Sequence, residues 1–149
     1  METLLETTIS KSILNRVNML TPTSHRRWGK MDVAQMMAHC AGAIAMASGE
    51  KVIPRIFIGR ILGPIFKKRV LDESVIQEGM PTAKELAVTE PKIFNLEKQR
   101  LIDAIARFNK AGRDGIVKHK HPFFGMMTTE EWGRSAYKHL DHHLKQFGA

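Results

Sequence analysis

The sequence is poor in cysteine. Its 149 residues include one, Cys40, which excludes an internal disulfide and a zinc ribbon built on cysteines. A reducing cytoplasm is the compartment this usage suits. A long apolar run is also missing. The most apolar stretch, "VIPRIFIGRILGPIF", is interrupted by two arginines, two prolines and two glycines and is too short to span a bilayer. The opening residues, "METLLETTISKSIL", carry early acids and read as neither a secretory signal nor an anchor, so no membrane partner is expected. There is no internal repeat, no low-complexity tract and no sustained two-residue alternation of a strand. No P-loop, dinucleotide glycine fingerprint or nucleophile elbow occurs, and no carboxylate pair is spaced for acid–base work.

What remains is an ordinary globular composition, 43% hydrophobic and 26% charged, of a length that suits one domain over residues 1–149. The net charge of +8 raises the question of nucleic acid. The densest basic cluster is Lys67, Lys68 and Arg69, with Arg55 and Arg60 upstream. No aromatic residues are interleaved with closely spaced cations, and the other basic residues are scattered among acids. A solvated basic surface is the better reading, and nucleic acid is not expected as a partner.

Four stretches have helical periodicity. Ile9, Ile13, Val17 and Leu20 share one face of a helix from about Ser10 to Leu20, stopped by "TPTS". A second helix starts after Asp32, where Gln35 completes a capping box and Met31 and Met36 flank it as a hydrophobic staple. It runs to about Ser48, with Gly49 as its cap. A third, from about Lys92 to Lys110, turns Phe94, Leu101, Ile105 and Phe108 inward and pairs Asp103 with Arg107 outside. The fourth opens at Thr128 and Glu131, another capping box, and continues to about Phe147. Between Glu50 and Pro91 only a short amphipathic pattern occurs, broken at Pro64. That segment is long enough to leave the helices it joins non-adjacent or parallel. The expected fold is all-α: a four-helix bundle with a long crossover between helices two and three.

Three of the seven histidines crowd into "YKHLDHHLKQF". A helix advances about 100° per residue, so His143 lies about 40° from His139, one turn on. Trp132, Ala136, Leu140 and Phe147 fall on the same side, whereas His142 points about 60° the other way, to the rim. The pair at i and i+4 fits two core histidines with satisfied hydrogen bonds, and it equally fits two ligands of one ion. The second helix supplies a third imidazole: Met36, His39, Ala43 and Met46 share a face. If that helix packs against the fourth, His39 faces His139 and His143 across the core. Three imidazoles with open positions form the pattern of a reactive metal site, and zinc or nickel suits them.

The stretches "WGKMDVAQMMAHC" and "HPFFGMMTTEEWGRSAYKHLDHHLKQFG" resemble the small bacterial proteins of the DinB/YfiT-like superfamily. The likeness covers both ends well and residues 50 to 90 loosely. It implies a four-helix bundle, often a homodimer, holding a divalent metal through three histidines that match His39, His139 and His143. It further implies relatives that include thiol-dependent transferases, with low-molecular-weight thiols as partners, and metal-dependent hydrolases or isomerases.

The remaining candidates have plainer readings. His119 and His121 fit a turn anchored by Phe123 and Phe124, with a pocket-lining role open for His121. Cys40 fits the core, because no base or cation is evident to activate it. Gln35 fits capping and Gln146 solvent, although either can orient a ligand. Trp28 and Trp132 fit packing, and Trp132 can wall a pocket. Gly59 and Gly63 match G-x-x-x-G, a weak signal outside an apolar span. The expected function is a metal-dependent transferase or hydrolase acting on a small molecule. The alternative is a non-catalytic dimeric bundle that binds metal or ligand.

Overall fold

The computed structural model describes residues 2–71, 76, 78, 82–116 and 120–149, with only the backbone of residues 69 and 70. Within them the chain is all-helical and has no strands. The helices are α1 (Thr7–Met19), α2 (Val33–Ala47), α3 (Phe57–Leu71), α4 (Phe94–Ala111) and α5 (Thr129–Gln146), and a 3-10 turn spans Lys84–Leu86. None is long and apolar enough to cross a membrane.

Local chemistry sets the ends of α2 and α5. Asp32 accepts from the Gln35 N–H at 2.8 Å, and Gln35 accepts from the Asp32 N–H at 2.9 Å. Thr128 and Glu131 make the same reciprocal pair, at 3.2 and 2.7 Å. Each box satisfies two donors that the first helical turn leaves free. Gly49, just past α2, has φ +79°, the left-handed conformation that ends helices. Lys98 reaches across from α4 to accept nothing and donate twice, to the Asn18 and Leu20 carbonyls at the end of α1.

Packing follows the apolar faces. Ten of the fifteen α2 residues are buried, so this helix is enclosed on several sides. It packs most extensively against α4 and also against α5, and α1 touches the same two helices. The helices on either side of the segment that contains α3, namely α2 and α4, are therefore neighbours. Ile13, Val17, Met36, Ile44, Leu101, Ile105, Phe108 and Leu140 form the centre of the core. The expected Asp103–Arg107 pair does not form. Asp103 accepts from Gln99 at 2.8 Å, and Arg107 reaches Glu50 at 3.6 Å.

The fifth helix, α3, is the main departure from expectation, because it continues through Pro64. A proline inside a helix removes one hydrogen bond and costs about 3 kcal/mol. The carbonyl it leaves free belongs to Arg60, an exposed residue, where water can replace the lost partner. Tertiary contact offsets the remainder. Gly59 and Gly63 lie against the turn at 122–124 so closely that a Cβ on Gly63 would sit 2.1 Å from the Phe123 carbonyl oxygen. The two glycines thus serve as the docking face of α3. In an unconstrained helix Gly→Ala gains up to ~1 kcal/mol. Here Gly63→Ala is expected to cost about 1–3 kcal/mol, because backbone must move. A urea unfolding midpoint that rises in this variant excludes the docking role.

Candidate metal centre

His39, His139 and His143 meet in the interior. Their ring centroids form a near-equilateral triangle with sides of 4.8, 4.8 and 4.7 Å. One nitrogen from each lies within 4.8 Å of the other two. His39 comes from the middle of α2, and the other two lie one turn apart on α5, so α2–α5 packing creates the cluster.

Hydrogen bonds assign the protons. Nδ1 of His39 lies 2.8 Å from the carbonyl oxygen of Leu86, which can only accept. That nitrogen therefore carries the hydrogen, and Nε2 of the neutral ring is a bare lone pair. Nδ1 of His143 lies 2.8 Å from Oε1 of Gln146, whose amide nitrogen donates in turn to the Trp28 carbonyl at 2.8 Å. The second Nε2 lone pair is thereby fixed in the same way. Nε2 of His139 lies 2.9 Å from Nε2 of His39, while its buried Nδ1 has no hydrogen-bond partner among the described residues.

This set fits a divalent cation. Two nitrogens bound to one tetrahedral ion at ~2.0–2.1 Å stand roughly 3.4 Å apart. The His39–His139 separation of 2.9 Å is below that spacing, and the 4.8 Å bound on the cluster is above it. Binding one ion would require the rings to rotate to that spacing. Ligand histidines usually donate their other N–H to a carbonyl or amide, as His39 and His143 do here. Three imidazoles in this arrangement could hold a metal ion.

Burial keeps the three rings neutral, as ligands must be. It lowers the pKa of His39, against an opposing pull from the Leu86 hydrogen bond. His139 is lowered well below the ordinary value, first by burial and then by the charges of His143 and His39. His143 falls to about 4, again chiefly by burial. The His139 residue is half-buried overall, and its Nδ1 is covered.

The other expected site residues separate cleanly. His142 is half-buried at the rim, its ring 5.5 Å from Trp28 and 5.1 Å from His143. His121 accepts from the Phe123 and Phe124 N–H groups at 3.1 Å and stacks on Phe124, as a turn anchor does. It also lies near enough to His139 that a charge on its ring would lower the His139 pKa further. His119 lies outside the described residues. Cys40 is buried beside Met36, at 3.6 Å between sulfurs, and burial raises its thiol pKa, so it is no nucleophile. Lys67 of the basic cluster is engaged by Glu131 at 2.7 Å and by the Met126 carbonyl at 2.8 Å.

Gln146 takes the less favoured of its two expected roles, and a second contributor, the Leu86 carbonyl, was not expected at all. Gln146, read as a solvent residue, is buried and orients His143. Its spacing of three from His143 was a usable signal, because i and i+3 share a helix face. The Leu86 carbonyl carries no sequence signal at all, since every residue has one. Gln35 caps α2 as expected, and its amide also donates to the Thr89 and Glu90 carbonyls at 3.1 Å, tethering the chain just beyond Leu86.

No curated protein and no solved structure matches the chain. Residues 2–149 match the model of a family described as "Protein of unknown function (DUF1569)". With that match covering nearly its whole length, the chain belongs to the DUF1569 family.

Proposed function

We propose that the chain is a cytoplasmic metal-dependent enzyme whose His39, His139 and His143 hold one divalent transition metal, zinc or nickel by ligand type. The reading is carried by one observation: buried neutral imidazoles converge with the Nδ1–H groups of His39 and His143 already engaged. When bound, such an ion supplies Lewis acidity and lowers the pKa of a water or thiol that it holds. The chain's own part is to orient the ligands. Leu86 fixes the tautomer of His39, and Gln146 fixes that of His143. His142 and Trp28 flank the cluster where a small-molecule substrate would approach. A thiol-dependent transferase and a hydrolase both use this chemistry. The resemblance to DinB/YfiT-like proteins supports those two activities, a low-molecular-weight thiol as partner and a homodimer. In the same reading α1, α2, α4 and α5 form the four-helix bundle, with the segment between α2 and α4 as its crossover.

A second reading, a non-catalytic dimeric bundle that binds metal or ligand, draws on the 2.9 Å approach of His39 to His139. Two rings can share one proton at that distance with no ion between them. Elemental analysis of protein purified without a histidine tag tests both. Near-stoichiometric transition metal is expected. Metal without turnover of thiol–electrophile pairs or hydrolysable substrates leaves the non-catalytic reading, and metal-free protein that takes up none on titration removes the enzyme proposal.

A further inference from the structure

Helix α3 is built inside out. Its smallest residues, Gly59 and Gly63, are buried against the turn at 122–124, with Phe66 beside them 5.8 Å from the Phe123 ring. Its largest apolar residues face outward: Phe57 is 76% exposed, Ile58 55%, Ile61 62% and Ile65 69%. With Ile61 as reference, Phe57, Ile58, Pro64 and Ile65 all fall within about 60° of it, so they form one continuous stripe. A monomer surface rarely presents such a stripe without a partner.

The charges around the stripe bear on the chemistry of such a partner. From residue 51 to residue 71 the sequence has six cations and no acid. Lys67 is engaged by Glu131, Lys51 by the Glu85 carbonyl and Arg55 by the Gly59 carbonyl. Arg60 and Lys68 are exposed and have no such partner among the described residues. Arg60 lies about 100° from Ile61 and Lys68 about 20° from it, at the border and the end of the stripe. A second copy docked through this stripe would set these cations against their own counterparts, and like charges brought together oppose binding. Nucleic acid would satisfy the cations but leave the isoleucines in water. An anionic bilayer surface satisfies both at once: isoleucine and phenylalanine enter the headgroup–acyl boundary, while arginine and lysine reach the lipid phosphates.

We propose that α3 docks the protein on anionic membrane surfaces, lying in the interface with Phe57, Ile58, Ile61 and Ile65 inserted and Arg60 and Lys68 on lipid headgroups. The length that rules out a bilayer span does not bear on a helix lying flat. The inference is independent of the metal centre, which lies between α2 and α5.

Vesicle co-sedimentation tests it, with phosphatidylcholine alone and with added phosphatidylglycerol. The protein is expected to pellet only with the anionic vesicles, and less as salt is raised. Ile61→Ser with Ile65→Ser alters exposed positions only and is expected to lower partitioning at least about tenfold. Arg60→Gln with Lys68→Gln is expected to lower it by on the order of tenfold to 30-fold. An Ile61→Cys protein carrying an environment-sensitive dye reports insertion directly, since buried Cys40 does not compete for the label. A blue shift with anionic vesicles supports the proposal. No pelleting at low salt overturns it, and so does pelleting unaffected by the serine substitutions. Self-association abolished by those substitutions, without vesicle binding, assigns the stripe to a second copy and overturns it as well.

Discussion

Replacing His39 with alanine is expected to lower affinity for a divalent transition metal more than ~100-fold, beyond the 10–100-fold cost of losing a group that only orients a ligand. His39 occupies the pivot of the cluster. Its Nδ1 is anchored 2.8 Å from the Leu86 carbonyl, and its Nε2 lies 2.9 Å from that of His139. Without it the two α5 imidazoles remain, and α2 supplies no other nitrogen to the cluster. The deletion also leaves a cavity, with a stability cost of a few kcal/mol as for other large-to-small core changes, so helicity is to be measured beside affinity. Gln146→Ala is the internal comparison. It frees the His143 ring but keeps all three nitrogens, and should fall in the 10–100-fold range. Titration against a competing chelator reads both variants. A folded His39→Ala protein with wild-type affinity would falsify the metal centre.

The metal-free protein is expected to lose stability as the solution is acidified through the histidine range. His143 has its pKa lowered from 6.5 to about 4, mainly by burial. In the unfolded chain it takes up a proton near 6.5, whereas in the folded chain it resists doing so. The unfolded state therefore binds more protons between these values, and stability rises with pH there. Its contribution is complete above 6.5 and disappears as pH falls toward 4. A shift of this size corresponds to roughly 3 kcal/mol, a large part of the 5–15 kcal/mol that typically holds a domain together. His39 and His139 are lowered in the same direction by burial and steepen the loss. Bound metal would be released over the same range, because its ligands must be deprotonated. Urea unfolding of chelator-treated protein above 6.5 and near 4 checks the sign, and equal midpoints at both would show that these rings are not held neutral.

The legible parts of the fold were those decided within a few residues. Asp32 with Gln35, and Thr128 with Glu131, form their capping boxes because partner and donor lie three residues apart. Four helices, their inward faces and the placing of His139 and His143 on one stripe follow from a 3.6-residue repeat. The joining of His39 to that pair was conditional on α2 packing against α5, which it does. Illegible were contacts whose partners are distant in the chain. Pro64 signals a helix end to its neighbours, and tertiary contacts, among them the fit of Gly59 and Gly63 against Phe123, accompany the continuous α3. Arg107 reaches Glu50 and not Asp103, and an exposed ion pair is worth too little for helical spacing alone to decide between them.

By itself, then, the order of residues determined the all-helical class, the helix caps and the placing of His139 and His143 on one face, with His39 as a conditional third. Periodicity and capping act over one or two turns, whereas the meeting of α2 with α5 does not. The tertiary structure alone decided that Leu86 and Gln146 orient two of those rings, that α2 and α4 are neighbours, and that α3 turns its isoleucines to the outside. A backbone carbonyl has no residue signature, and a helix with glycines on one face and isoleucines on the other does not announce which face finds a partner. Close approach to one particular turn makes that choice, and it exists only once the chain has folded.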